Sequence, residues 1–283
     1  MKICRFNDSL IGEVVGDLIY DISELVPAEG SGGNSDPLLA ALADLIAMDS
    51  GQRRRGKAYP LAEATLHAPV RMPGKIIAAP VNYTAHIAEA SADPAVVYGH
   101  TLTDIGEAGL FLKASSSLAG PSDPLHIRFP DRRTDYEVEL VAVIGTAGSD
   151  IPVEHALDHV AGYAVGLDIT LRGPEDRSFR KSIDGYSIIG PWLTTADDVD
   201  NPNRLDLTLR LNGDLKQSAN TSQMVYGVAQ LIAFASSFYT LYPGDILFTG
   251  TPEGVGPIAP GNEMRAAITG LGEMLVRIAA VRS

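Results

Sequence analysis

Between Glu137 and Ile144 the chain reads EVELVAVI, an apolar run entered through two acids. A strand with no polar residue in its second half has to be covered on both faces, so it belongs at the centre of a sheet inside a layered domain. Other segments share this texture. Lys75–Ala79, Gly162–Ile169 and Asp245–Thr249 read as short apolar strands. Leu205, Leu207, Leu209 and Leu211 alternate along a half-buried strand that stops at an Asn212-Gly213 turn, and 274–281 closes the chain as a strand. With 28 Gly and 18 Pro in 283 residues, turns are frequent and strands are short.

Helical spacing marks Pro37–Met48, a turn or two at Val153–Val160, and Met224–Tyr239. Lys2–Phe6, Ile11–Val15 and Leu18–Ile22 are small strands near the N-terminus, and 29–37 (EGSGGNSDP) is a flexible loop. The fold class is therefore α+β, mostly β. A small N-terminal α/β domain spans residues 1–70, and a strand-dominated domain spans 71–283.

Charge excludes one class of partner. The balance of 22 Lys+Arg against 35 Asp+Glu gives −13, which repels nucleic acid. The basic run Arg53–Arg55 with Lys57 then reads as a solvated loop. A single cysteine, Cys4, has no internal disulfide partner and fits a reducing cytoplasm. The most apolar stretch, Val225–Phe238, is interrupted by Gln230, Ser236 and Ser237, so it reads as a buried helix and no membrane partner is expected.

Some of the acids are placed for chemistry. Glu137 and Glu139, two apart on a strand, share a face while Val138 points to the other. Side by side they repel unless a cation intervenes. Asp168 ends the strand GYAVGLD, and if the two strands are neighbours the three carboxylates converge into an all-oxygen site for Mg²⁺, Mn²⁺ or Ca²⁺. In Asn82–Glu89 (NYTAHIAE), a helix capped by Asn82 would bring His86 and Glu89 together at i and i+3, a pair able to activate a water. Arg172, Arg177, Arg180 and Lys181 follow Asp168 closely, which suits an anionic substrate.

Other patterns are set aside. His155 and His159 have zinc-like spacing without a third ligand. TGTPEGVG at 249–256 is glycine-rich but lacks the Lys-Ser/Thr of a phosphate loop.

Seven segments in order resemble the fumarylacetoacetate hydrolase family: NYTAHIAE from Asn82, FLK from Phe111, DYEVELVAVIG from Asp135, GYAVGLDITLR from Gly162, KSIDGYSIIGPW from Lys181, NGDLKQ from Asn212 and PGDILFTGTPEGVG from Pro243. The resemblance covers roughly residues 75 to 260. It implies a mixed β-sandwich or β-roll catalytic domain, a homodimer, and a divalent metal on Glu137, Glu139 and Asp168. It further implies a water-activating His86–Glu89 dyad, a catalytic Lys181, and Tyr83, Arg172, Gln217 and Thr251 as substrate or oxyanion contacts. A mobile lid is expected between Glu89 and Phe111. The implied reaction is hydrolysis of a carbon–carbon bond in a small anionic diketo or acylpyruvate-type acid. Lyase, decarboxylase, hydratase or isomerase chemistry on a 2-oxo acid is the alternative.

Overall fold

A computed structural model describes residues 1–27, 36–86, 89 and 105–279. The strand anticipated from the apolar run is Val138–Ile144, buried at every residue. It lies between Val160–Asp168, with which it pairs antiparallel, and Ile246–Phe248. Its alternate side chains serve two cores. Val138, Leu140, Ala142 and Ile144 join Leu207, Leu209 and the helix Val228–Phe238 in one, while Val141 and Val143 join Phe248, Ile189 and the helix Pro37–Ala47 in the other. Each fully buried Val, Leu or Ile side chain here contributes ~1.5–3 kcal/mol, so the register of this strand is strongly held.

Among the described residues the central sheet has 12 strands. Its spine runs from Ala58–Pro60 through Leu18–Asp21, Leu10–Val15 and Lys2–Phe6 to Ser187–Thr195, then to Val160–Asp168, Val138–Ile144, Ile246–Phe248, Ile76–Ala78 and Phe111–Lys113. The N-terminal strands extend this sheet, with Lys2 opposite Thr194. A 5-stranded sheet built on Asp206–Leu211 and Glu263–Ile268 covers the first core. A 3-stranded sheet of Thr170–Leu171, Thr134–Tyr136 and Gly256–Pro257 closes over the end of the central strands where the acids lie.

Two expectations are corrected. The long helix begins at Val228 rather than Met224, because Met224 forms a β-bridge with Tyr83 and the amides of Val225 and Tyr226 donate to Asn82. The Arg53–Arg55 run is not a solvated loop. Arg53 is buried, donating to Glu13 and to the carbonyls of Leu45 and Met48, and Arg54 donates to the same Glu13. The closing strand is Gly272–Ala279. The loop expected at 29–37 falls largely outside the described residues, as does most of the expected lid. Among the described residues, no helix is long and apolar enough to cross a membrane.

Candidate active site

The pairing of the two central strands assembles the acids. Val138 faces Leu167, and the Asp168 amide donates to the Glu137 carbonyl at 2.9 Å. Glu137, Glu139 and Asp168 thus share the face opposite Val138, all three buried, with one oxygen of each within 4.8 Å of the others. They form the sole such cluster of His, Cys, Asp or Glu among the described residues. His155 instead pairs with Asp158 at the surface.

Two lysines neutralise part of this charge. The Lys181 ammonium, from the helix Arg177–Lys181, lies 2.7 Å from Glu137 and 2.6 Å from Asp168. Lys113, from the edge strand Phe111–Lys113, lies 2.5 Å from the other oxygen of Asp168 and donates to the Tyr186 carbonyl. Burial would raise the Glu137 carboxyl, but Lys181 and Arg172 outweigh it and hold it below the usual carboxylate range. Glu139 goes the other way, since burial and the neighbouring Asp168 raise it more than Lys181 and the Gly250 amide lower it. An oxygen-only donor set with one acid so destabilised as an anion fits a hard divalent cation.

His86 and Glu89 also meet. Residues 84–86 and 89 are helical, and His86 Nδ1 lies 3.2 Å from Glu89 Oε2, with the imidazole buried. The hydrogen bond from His86 lowers the Glu89 carboxyl against the effect of burial, and the Gly254 amide lowers it further. With Nδ1 turned to the carboxylate, Nε2 remains to take a proton. Asn82 does not cap this helix. Its side chain accepts from the Tyr226 amide and donates to the Tyr226 and Thr249 carbonyls, tying the segment to the glycine-rich loop.

The four expected substrate contacts divide. Tyr83 is buried, and its hydroxyl has no hydrogen-bond partner among the described residues. Arg172 Nε donates to Asp135 and its Nη2 to Glu137, at 2.8 and 2.9 Å, so its fork is largely engaged by protein acids. Gln217 and Thr251 are used internally. Gln217 accepts from the Val138 amide and donates to Thr251 Oγ1 and the Pro252 carbonyl, and Thr251 donates to the Val138 carbonyl. Both hold the loop against the acid-bearing strand.

Three features escaped the sequence. Lys113 stood in the quoted FLK segment without a role, and its placement in so short a strand gives little periodicity to read. Asp135, fully buried, anchors Arg133 and Arg172. The glycine-rich loop binds carboxylates rather than phosphate: the Gly250 amide donates to Glu139 at 2.6 Å, and the Gly254 amide to Glu89.

Residues 75–279 match the family described as fumarylacetoacetate (FAA) hydrolase C-terminal. The chain is 48% identical over 287 residues to a maleylpyruvate hydrolase of Aquipseudomonas alcaligenes, covering 99% of this chain and 100% of that one. It superposes with a TM-score of 0.85 on the maleylpyruvate hydrolase of Sphingobium sp. SYK-6 in complex with manganese(II) ion and pyruvate, at 38% identity and full coverage of both chains. The 5-carboxymethyl-2-hydroxymuconate delta-isomerase of Mycobacterium smegmatis is similar at 27% identity and a TM-score of 0.75, over 99% of this chain and 100% of that one. The chain belongs to the fumarylacetoacetate hydrolase family.

Proposed function

We propose that this member of the fumarylacetoacetate hydrolase family hydrolyses the carbon–carbon bond of an acylpyruvate, for which maleylpyruvate serves as the model, releasing pyruvate and the acid of the acyl group. It is a divalent-metal-dependent enzyme acting on carbon–carbon bonds in ketonic acids. The observation that carries the reading is the convergence of the Glu137–Glu139–Asp168 cluster within a chain similar over its whole length to maleylpyruvate hydrolases. Mg²⁺ or Mn²⁺ is the metal assigned to it, and a homodimer acting in the cytoplasm completes the proposal.

A divalent cation held by Glu137, Glu139 and Asp168 supplies Lewis-acid polarisation of the substrate's 2-oxo acid end. Glu89 fixes the His86 imidazole through Nδ1, and Nε2 removes a proton from a water that attacks the acyl carbonyl carbon. Lys181 and the Tyr83 hydroxyl donate hydrogen bonds to oxygen as it gains negative charge. Arg172, bonded to Asp135 and Glu137, holds the Glu137 carboxylate in place at the cluster. The bond from the acyl carbon to the pyruvate methylene then breaks, the electron pair leaves with the pyruvate fragment, and a proton returns to that carbon. Water and one acylpyruvate become two acids.

The similarity to a solved isomerase favours one alternative, enolate chemistry without bond cleavage. Turnover of maleylpyruvate in water carrying heavy oxygen separates the two. Hydrolysis places the label in the acid released from the acyl group, together with stoichiometric pyruvate. An isomerised product of unchanged mass would overturn the hydrolytic reading.

A further inference from the structure

We propose that Arg177 is a specificity-determining residue of this site, its guanidinium binding a second carboxylate at the end of the substrate remote from the 2-oxo acid. The enzyme then selects acylpyruvates whose acyl chain itself ends in an acid. This rests on the hydrolytic reading above and assigns the group that recognises the far end of the substrate.

The helix Arg177–Lys181 places its first and last residues one turn apart on the same face. Both cations lie over one aromatic ring: Lys181 Nζ is 5.5 Å and the Arg177 guanidinium 5.6 Å from the centre of Phe111. Lys181 gives two of its three N–H donors to Glu137 and Asp168. Arg177 makes no hydrogen bond or ion pair among the described residues, and the acid preceding it, Asp176, accepts from the Ser178 amide instead. Of the other arginines near the site, Arg132 pairs with Glu175, Arg133 with Asp135, and Arg172 with Asp135 and Glu137, while Arg180 is buried and donates to the Leu171 carbonyl.

A half-buried guanidinium cannot shed its charge, and its planar donor fork is built to take a carboxylate in a bidentate manner. Burial disfavours the charge of Arg177, while Glu137, Asp176 and Asp168 act on it at longer range. Phe111, itself buried, is the apolar ring that the two cations share. A substrate with its 2-oxo acid at the acid cluster and its acyl chain running along this helix carries its far end toward Arg177, about one helical turn (~5.4 Å) beyond Lys181.

The test uses succinylpyruvate and butanoylpyruvate, which have the same chain length and differ only in the terminal carboxylate. The wild-type enzyme is expected to favour succinylpyruvate in kcat/KM. Arg177→Leu should lower kcat/KM for succinylpyruvate roughly 10- to 100-fold, mainly through KM, as loss of a charge-assisted hydrogen-bonded pair does. It should leave butanoylpyruvate within about twofold, and Arg177→Lys should recover part of the loss because it restores the charge without the fork. Equal losses on both substrates, or an unchanged preference in both variants, would overturn the assignment while leaving the hydrolytic reading intact. Failure of the wild-type enzyme to release pyruvate from either substrate would overturn both.

Discussion

Lys113 and Asp168, 55 residues apart in sequence, meet at 2.5 Å with both side chains fully buried. The pair joins the edge of the central sheet to the acid cluster at its middle. Burial lowers the lysine's hold on its proton, and Asp168 offsets this only in part.

Removing the cation from this pair leaves the buried Asp168 carboxylate with Lys181 alone to compensate it among the described residues. Lys113→Met should lower the stability of chelator-treated protein by up to ~3–5 kcal/mol, the cost of leaving a buried charge wholly uncompensated, with Lys181 reducing the loss. Added Mn²⁺ should recover more stability in the variant than in the wild type, because the ion binds the native acids and shifts folding by mass action. Thermal unfolding with and without chelator reads both effects. Equal melting temperatures for the two proteins in chelator would contradict the account.

The roles assigned to His86 and Asp168 predict different losses. His86→Gln should reduce kcat roughly 100- to 10,000-fold, the range for a positioned acid–base group, with Mn²⁺ affinity nearly unchanged. Asp168→Asn should impair both, since its carboxylate is one of the three converging oxygens. Calorimetric titration of Mn²⁺ beside steady-state kinetics checks this, and equal metal loss in both variants would refute the division of labour.

Gly254 has φ +91 and donates its amide to Glu89, and a Cβ there would lie 2.2 Å from the Lys216 carbonyl oxygen. A backbone carbonyl of a paired strand yields little, so Gly254→Ala should displace the amide from Glu89. The expected result is a kcat lower by about tenfold or more, as small misplacements of a catalytic group produce. Wild-type kinetics in a folded Gly254→Ala protein would show that the Gly254–Glu89 contact is dispensable.

What was legible in the sequence follows from periodicity. EVELVAVI announced a central strand, and the two-residue repeat put Glu137 and Glu139 on one face before any partner was known. Asp168 could be matched to them because its strand is equally apolar. Features made by residues distant in sequence were not legible. Arg53 reads as part of an exposed basic run because its acid, Glu13, lies 40 residues earlier. Met224–Gly227 has helical spacing, yet Asn82 and Tyr83 capture this segment from more than 140 residues away. Gln217 and Thr251 carry polar groups suited to a ligand, and only the register of the central strand shows that Val138 uses them.

Far from the acid cluster, Glu13 offers a test of how this acidic chain responds to pH. It is buried beneath Arg53 and Arg54, which donate to it at 3.1 and 2.9 Å. Burial alone would raise its carboxyl, but the hydrogen bonds from Arg54 and Arg53 outweigh that and hold it below its ordinary value of 4.5. A carboxyl lowered in the folded state stabilises the protein above its unfolded value, and that contribution disappears as pH falls through the folded value. Glu13→Gln should therefore be less stable than the wild type at neutral pH. The gap should narrow steadily below about pH 4.5, as the wild-type side chain also becomes neutral. Denaturant unfolding from pH 7 downward measures it, and a gap independent of pH would mean that packing, rather than the charge of Glu13, sets its contribution.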